Sequence, residues 1–183
     1  ERVIGMGASC ICYAVSVDFG DRNIHKMILK QFCPEPFLSE AEQRHLAVLF
    51  EQAYELQNHL ANTDALMDLI VRPYEKFFSE KERYILYEAN YGDSLEKRNI
   101  EDLDMQLRLM LELTEALERL HRCGILHMDL KPENILWTTY GGIKFFDFDA
   151  AIILDRLDEV HEIRGAGNQL GLLAPELRNL SEF

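Results

Sequence analysis

The chain has 183 residues, 48% of them hydrophobic, and sets 19 Lys and Arg against 32 Asp and Glu for a formal charge of −13 at pH 7. That balance would repel a nucleic-acid backbone, and no apolar run approaches the roughly 18 residues of a membrane span. Without a Pro-, Gly- or Ser-rich tract, the whole length reads as globular, as one domain or as two small lobes sharing a cleft. The N-terminus lacks the charged-then-apolar layout of a signal peptide. Cys10, Cys12, Cys33 and Cys123 form no C-x-x-C framework and read as free thiols. The expectation is a soluble, cytoplasmic protein. A first residue that is Glu rather than Met suggests a piece of a longer chain.

In chain order, "VIGMGASCICYAVSV" alternates small and branched residues around Gly5 and Gly7, "GDRN" makes a turn, and "HKMILKQF" alternates again. This predicts two or three antiparallel strands. Ser39, followed three positions later by Glu42, has the form of a capping box. Leu46, Leu49, Phe50, Ala53, Leu56 and Leu60 then recur at helical spacing, predicting a helix to about Asn62. "LIVRPYEKFF" and "RYILYEAN" flank the charged "SEKE" as a hairpin. At Gly92 the pattern changes from sheet to helix, which places a boundary between an N-terminal unit, 1–92, and a C-terminal unit, 93–183. From Asp102 to Arg122, leucines and methionines make a helix stopped by Cys123 and Gly124, and its wide apolar face predicts a core position. Short strands follow in "ILHMDLKPENILW" and "GIKFFDF", and beyond Asp149 the chain reads as irregular.

The order of a G-x-G loop, a lysine on the third strand, a helix bearing glutamates, "HMDLKPEN", "DFD" and "APE" resembles that of the eukaryotic-type protein kinases. The likeness is greatest to the Ser/Thr branch, as a divergent, bacterial-type member truncated after the APE motif. The resemblance implies an α+β, bilobal fold: a small antiparallel sheet with one long helix, then a partial, mainly helical second lobe. It also implies transfer of the γ-phosphoryl of ATP, with Mg²⁺, to Ser or Thr of a protein substrate. Further C-terminal helices or a partner would complete the second lobe.

Matched by motif, Asp129 is the catalytic aspartate and Lys131 the lysine that steadies the transferred phosphate. Asn134 and Asp147 are the magnesium ligands, both hard oxygen donors suited to that cation. Gly5 and Gly7 would let the backbone approach the phosphates, and Lys30 would hold the α- and β-phosphates. Glu51, or Glu55 one turn on, would be its helix partner. Glu88 and Asn90 would offer backbone hydrogen bonds to adenine beside Tyr87 at the gatekeeper position, and His127 would brace the catalytic loop. The sequence departs from the family at Cys10 and Asp149, which stand where glycines are usual, and at Met128, in place of arginine. Asp149 either stiffens its segment or adds an ion contact. The departures at Cys10 and Asp149 keep open a nucleotide-binding pseudokinase acting as an interaction module, and a small-molecule kinase on the same catalytic core is a further reading, against which "KPEN" and "APE" speak.

Overall fold

The computed structural model describes residues 2–7, 9–21, 23–79, 81–89, 92–138 and 142–154. The expected APE motif, the charged segment before it and Asn90 lie outside them. The first lobe is a five-stranded antiparallel sheet in the order β1-β2-β3-β5-β4, formed by Arg2–Met6, Cys10–Asp18, Ile24–Phe32, Arg83–Glu88 and Pro73–Phe78 respectively. Central β3 pairs with β2 over its whole length, Cys12 opposite Lys30, and β3 pairs with β5 on its other side, Lys30 opposite Ile85.

Helix α1, Glu40–Ala61, begins where the capping box predicts: Ser39 Oγ accepts from the Glu42 N–H while the Glu42 carboxylate accepts from the Ser39 N–H at 2.8 Å. Its buried face is Ala47, Phe50, Ala53, Gln57 and Leu60. Phe50 joins Cys10, Val71, Ile85 and Tyr87 in a core shared with Leu136 and Phe146. Gln57, buried beside it, donates to the Val71 carbonyl at 2.7 Å.

In the second part, helix α2, Leu103–Arg122, is capped by Asp102, whose carboxylate accepts from the Met105 N–H. It ends at Cys123, ahead of Gly124 with φ +73°. Short strands β6 (Asp93–Ser94), β8 (Ile135–Trp137) and β9 (Ile143–Phe145) form one sheet, and β7 (Ile125–Leu126) pairs antiparallel with β10 (Ile152–Ile153). This second core gathers Leu60, Leu66 and Ile70 from the end of α1 and its following turn, Ala116 and Leu120 from α2, and Ile135, Ile143, Phe145 and Phe148.

The structure departs from expectation in two places. Strand β10 lies in a stretch that reads as irregular, because a two-residue strand is too short to show alternation. On α2 only Ala116 and Leu120 are buried, while Leu103, Met105, Leu107, Met110 and Leu111 are exposed. Leu109, Leu113 and Leu117 pack partly buried on the second core alongside Ala116 and Leu120, and Arg119 makes a bidentate pair with Asp68. Among the described residues, no helix is long and apolar enough to cross a membrane.

Candidate active site

The loop between β7 and β8 carries the first group of site residues. His127, fully buried, donates from Nε2 to the Phe146 carbonyl at 3.0 Å and accepts the Asp129 N–H on Nδ1 at 3.4 Å. Those two bonds require the neutral ring, and burial pushes its pKa below the ordinary value. Met128 and Asp147 are the non-glycine residues with left-handed backbone among those described, φ 62° and 66°. Such conformations cost about 1 to 2 kcal/mol each and persist where surroundings enforce them, commonly at functional sites.

Asp129 Oδ2 receives two donors, Lys131 Nζ at 2.8 Å and Asn134 Nδ2 at 3.0 Å, while Asn134 Nδ2 also donates to the Asp129 carbonyl at 2.9 Å. The turn Pro132–Asn134 folds the carboxamide back onto the aspartate. Because both bonds come from the nitrogen, the oxygen of Asn134 is the end available to a cation. Among the described residues no group of three or more His, Cys, Asp or Glu could by itself cage a metal. Mg²⁺ takes one or two side-chain oxygens and completes its shell with phosphate and water. Asn134 and Asp147 supply two such oxygen donors.

Across the cleft Lys30 is 3% exposed. Its ammonium donates to Asp147 Oδ1 and to both oxygens of Asp149, all at 2.8 Å. Burial alone would discharge it, but the two carboxylates outweigh burial and hold its pKa well above the ordinary lysine value. Asp147 is held below the usual carboxylate range: burial opposes this, and the charge and hydrogen bond of Lys30 prevail. Asp149 is pushed up, first by burial and then by the charge of Asp147.

The expected ion pair of Lys30 with Glu51 is not what the structure holds. Glu51 Oε1 accepts from Arg83 Nε at 2.6 Å, and the alternative, Glu55, pairs with Lys76. The reason is helical phase. Phe50 puts its ring 5.7 Å from Lys30 Nζ, and Glu51 follows about 100° further around the helix, toward β5. Sequence reasoning missed Arg83 as its partner. It left open the ion contact that Asp149 makes, for which a carboxylate two residues after Asp147 was the available signal.

The remaining residues line the sheet side. Gly7 N–H donates to the Cys10 carbonyl at 2.8 Å, closing the turn between β1 and β2. A Cβ on Gly5 or Gly7 would come no nearer than 4.0 and 3.9 Å to other atoms, so packing within the protein does not require glycine at either place. Cys10 is buried under this turn. Glu88 ends β5, paired in register with Met27, and the next N–H, of Ala89, donates to the Lys26 carbonyl. Tyr87 is fully buried and meets the Phe146 ring edge-on at 5.0 Å. This contact joins the strand before the hinge to the residue before Asp147.

Comparison with known proteins gives the same outline. A family model described as "Protein kinase domain" matches residues 2–178. A Dictyostelium discoideum protein described as "Probable serine/threonine-protein kinase" is 35% identical over 126 residues, 68% of this chain and 17% of that protein. Aurora kinase C of Mus musculus is 32% identical over 116 residues, 61% of this chain and 40% of the kinase. Serine/threonine-protein kinase 17A of Oryctolagus cuniculus is 29% identical over 117 residues, 59% and 29% respectively. The chain thus spans less than half the length of these relatives. With nearly its whole length matched by the family model, and a five-stranded lobe set over the loop of Asp129 and Asn134, the chain belongs to the protein kinase domain family.

Proposed function

We propose that the chain is the catalytic part of a cytoplasmic Ser/Thr protein kinase, moving the γ-phosphoryl of ATP to a hydroxyl of a protein substrate. The observation that carries this reading is the convergence of Lys131 and Asn134 on one oxygen of Asp129. Phosphoryl transfer asks a protein for position and charge more than for covalent chemistry. Asp129 orients the attacking hydroxyl and receives its proton, and Lys131, at 2.8 Å, is placed to neutralise the phosphoryl as it passes. Asn134 and Asp147 would hold Mg²⁺, which neutralises charge on the phosphates when bound. Lys30 faces the α- and β-phosphates, the Gly5 to Gly7 turn covers them, and the backbone at Glu88 and Asn90 receives adenine. The cleft lies between lobes 1–92 and 93–183, with further C-terminal helices or a partner completing the second.

Engagement of Lys30 by two carboxylates favours one other reading, a nucleotide-binding module without transfer. Incubation with radiolabelled ATP, magnesium and generic protein or small-molecule acceptors separates the readings. Label on Ser or Thr of protein supports the kinase. Label only on small molecules, or ATP binding without label transfer, replaces it.

A further inference from the structure

The Lys30 ammonium is almost wholly removed from water, so its position depends on the groups that bind it closely. Helix α1 supplies no carboxylate among them. The side chain it turns toward Lys30 is Phe50, and the buried face on either side is Ala47, Ala53 and Gln57. Both nearby glutamates are committed to the sheet: Glu51 to Arg83 of β5, which also stacks 6.0 Å from the Phe32 ring, and Glu55 to Lys76 of β4, which lies over the rings of Tyr54 and Phe78. For either glutamate to reach Lys30 it would have to break a formed ion pair and rotate Phe50 out of the core.

Asp147 is not a sufficient partner either, because the carboxylate that binds Lys30 at 2.8 Å is the one proposed to hold the metal. Asp149 has no such second duty. Phe148 is buried against the His127 ring at 4.7 Å, and the Ala151 N–H closes a turn on the Phe148 carbonyl at 3.1 Å. With Phe148 fixed inward, the residues on either side present their carboxylates together to the cleft, and both oxygens of Asp149 reach the ammonium at 2.8 Å.

We propose that Asp149, and not a glutamate of α1, is the positioning residue that holds Lys30 aimed at the nucleotide phosphates. The inference rests on the reading of this cleft as an ATP site. In consequence the orientation of Lys30 is set from within the turn after Asp147 rather than by a glutamate of α1.

The test is calorimetric titration of the full-length protein, wild type and variants, with ATP and separately with adenosine, both with magnesium. Asp149→Asn should weaken ATP binding by about tenfold or more and leave adenosine affinity unchanged, since only the phosphates meet Lys30. Asp149→Glu should recover most of the loss, because 43% of the Asp149 side chain is exposed to the cleft and a longer acid has room. Glu51→Gln should keep ATP affinity within about twofold of wild type. An Asp149→Asn protein that binds ATP as well as or better than wild type overturns the inference. So does one that loses ATP and adenosine equally, which marks a packing role, and so does a Glu51→Gln protein that loses ATP selectively. Failure of the underlying reading shows elsewhere: a wild-type protein with no preference for ATP over adenosine removes the phosphate site, and the inference with it.

Discussion

Asn134 Nδ2 stands 3.0 Å from Asp129 Oδ2 and 2.9 Å from the Asp129 carbonyl, so one carboxamide fixes both the side chain and the backbone of the aspartate five residues before it. Asp129→Asn should therefore keep the loop in place while removing the proton acceptor. Nucleotide affinity should stay within a few-fold of wild type and transfer should slow by about 10²- to 10⁴-fold. Single-turnover kinetics beside an equilibrium titration would read the two effects apart. Equal transfer rates would take the base role from Asp129.

Met128, with its left-handed backbone, carries no charge to bind a phosphate, and residues 149–175 contain no Ser, Thr or Tyr to receive one. Phosphatase-treated and untreated enzyme should give equal rates on a peptide substrate. Met128→Arg should not create phosphate dependence, because no acceptor lies in that segment. A large loss of rate on phosphatase treatment would contradict this.

The four thiols should divide into two pairs. Cys10 is buried and Cys12 half-buried on β2, where burial pushes their pKa values up to about 12 and about 11 against the pull of Lys30. At pH 8 about a thousandth or less of either is thiolate, the reactive form, whereas Cys33 and Cys123 are exposed. Iodoacetamide at pH 8 should label Cys33 and Cys123 and spare the other two. Labelling of Cys10 and Cys12 should speed up as pH rises toward 10, roughly tenfold per unit for a group titrating above the range. Mass spectrometry of the digested protein gives the answer residue by residue.

Gly92 has φ +116°, and a Cβ placed there would lie 2.1 Å from the Trp137 carbonyl oxygen and 2.9 Å from Thr138 Cα. Gly92→Ala should destabilise the protein by about 2 to 4 kcal/mol, from backbone strain and forced separation of β6 from β8. Gly142→Ala is the comparison: its φ is +93°, but the nearest atom is a side-chain oxygen 4.0 Å away, so only strain of about 1 kcal/mol applies. Urea unfolding of both variants would show Gly92 as the costlier site or refute the steric argument.

Much of this architecture is written locally. The capping box at Ser39 and Glu42, the cap at Asp102 and the stop at Cys123 and Gly124 locate both helix ends, because caps depend on residues a few positions apart. The Asp129–Lys131–Asn134 cluster is legible for the same reason. Ion pairing across elements is not. Whether Glu51 meets Lys30 or Arg83 turns on the rotation of α1 about its axis, which Phe50 sets by entering the core, and no spacing rule encodes that rotation. Burial of α2 is intermediate: periodicity marks the apolar face, but which of its turns are covered depends on what packs against them from elsewhere in the chain.

Phe145 is bound on both of its backbone sides to the chain that leaves α1: its N–H donates to the Leu69 carbonyl at 2.7 Å, and its carbonyl accepts the Val71 N–H at 3.0 Å. Gln57 then clasps the Val71 carbonyl from α1 itself. The helix of one lobe and the strand that delivers Asp147 in the other are thereby coupled through residues 69–71, by two main-chain bonds to Phe145 and one side-chain bond from Gln57, so a shift of α1 along its axis is passed to Asp147. Gln57→Ala would remove the link to α1 while leaving the two main-chain bonds of Phe145 standing. An ester bond in place of the Phe145 N–H would remove the bond to Leu69 and leave the one from Val71.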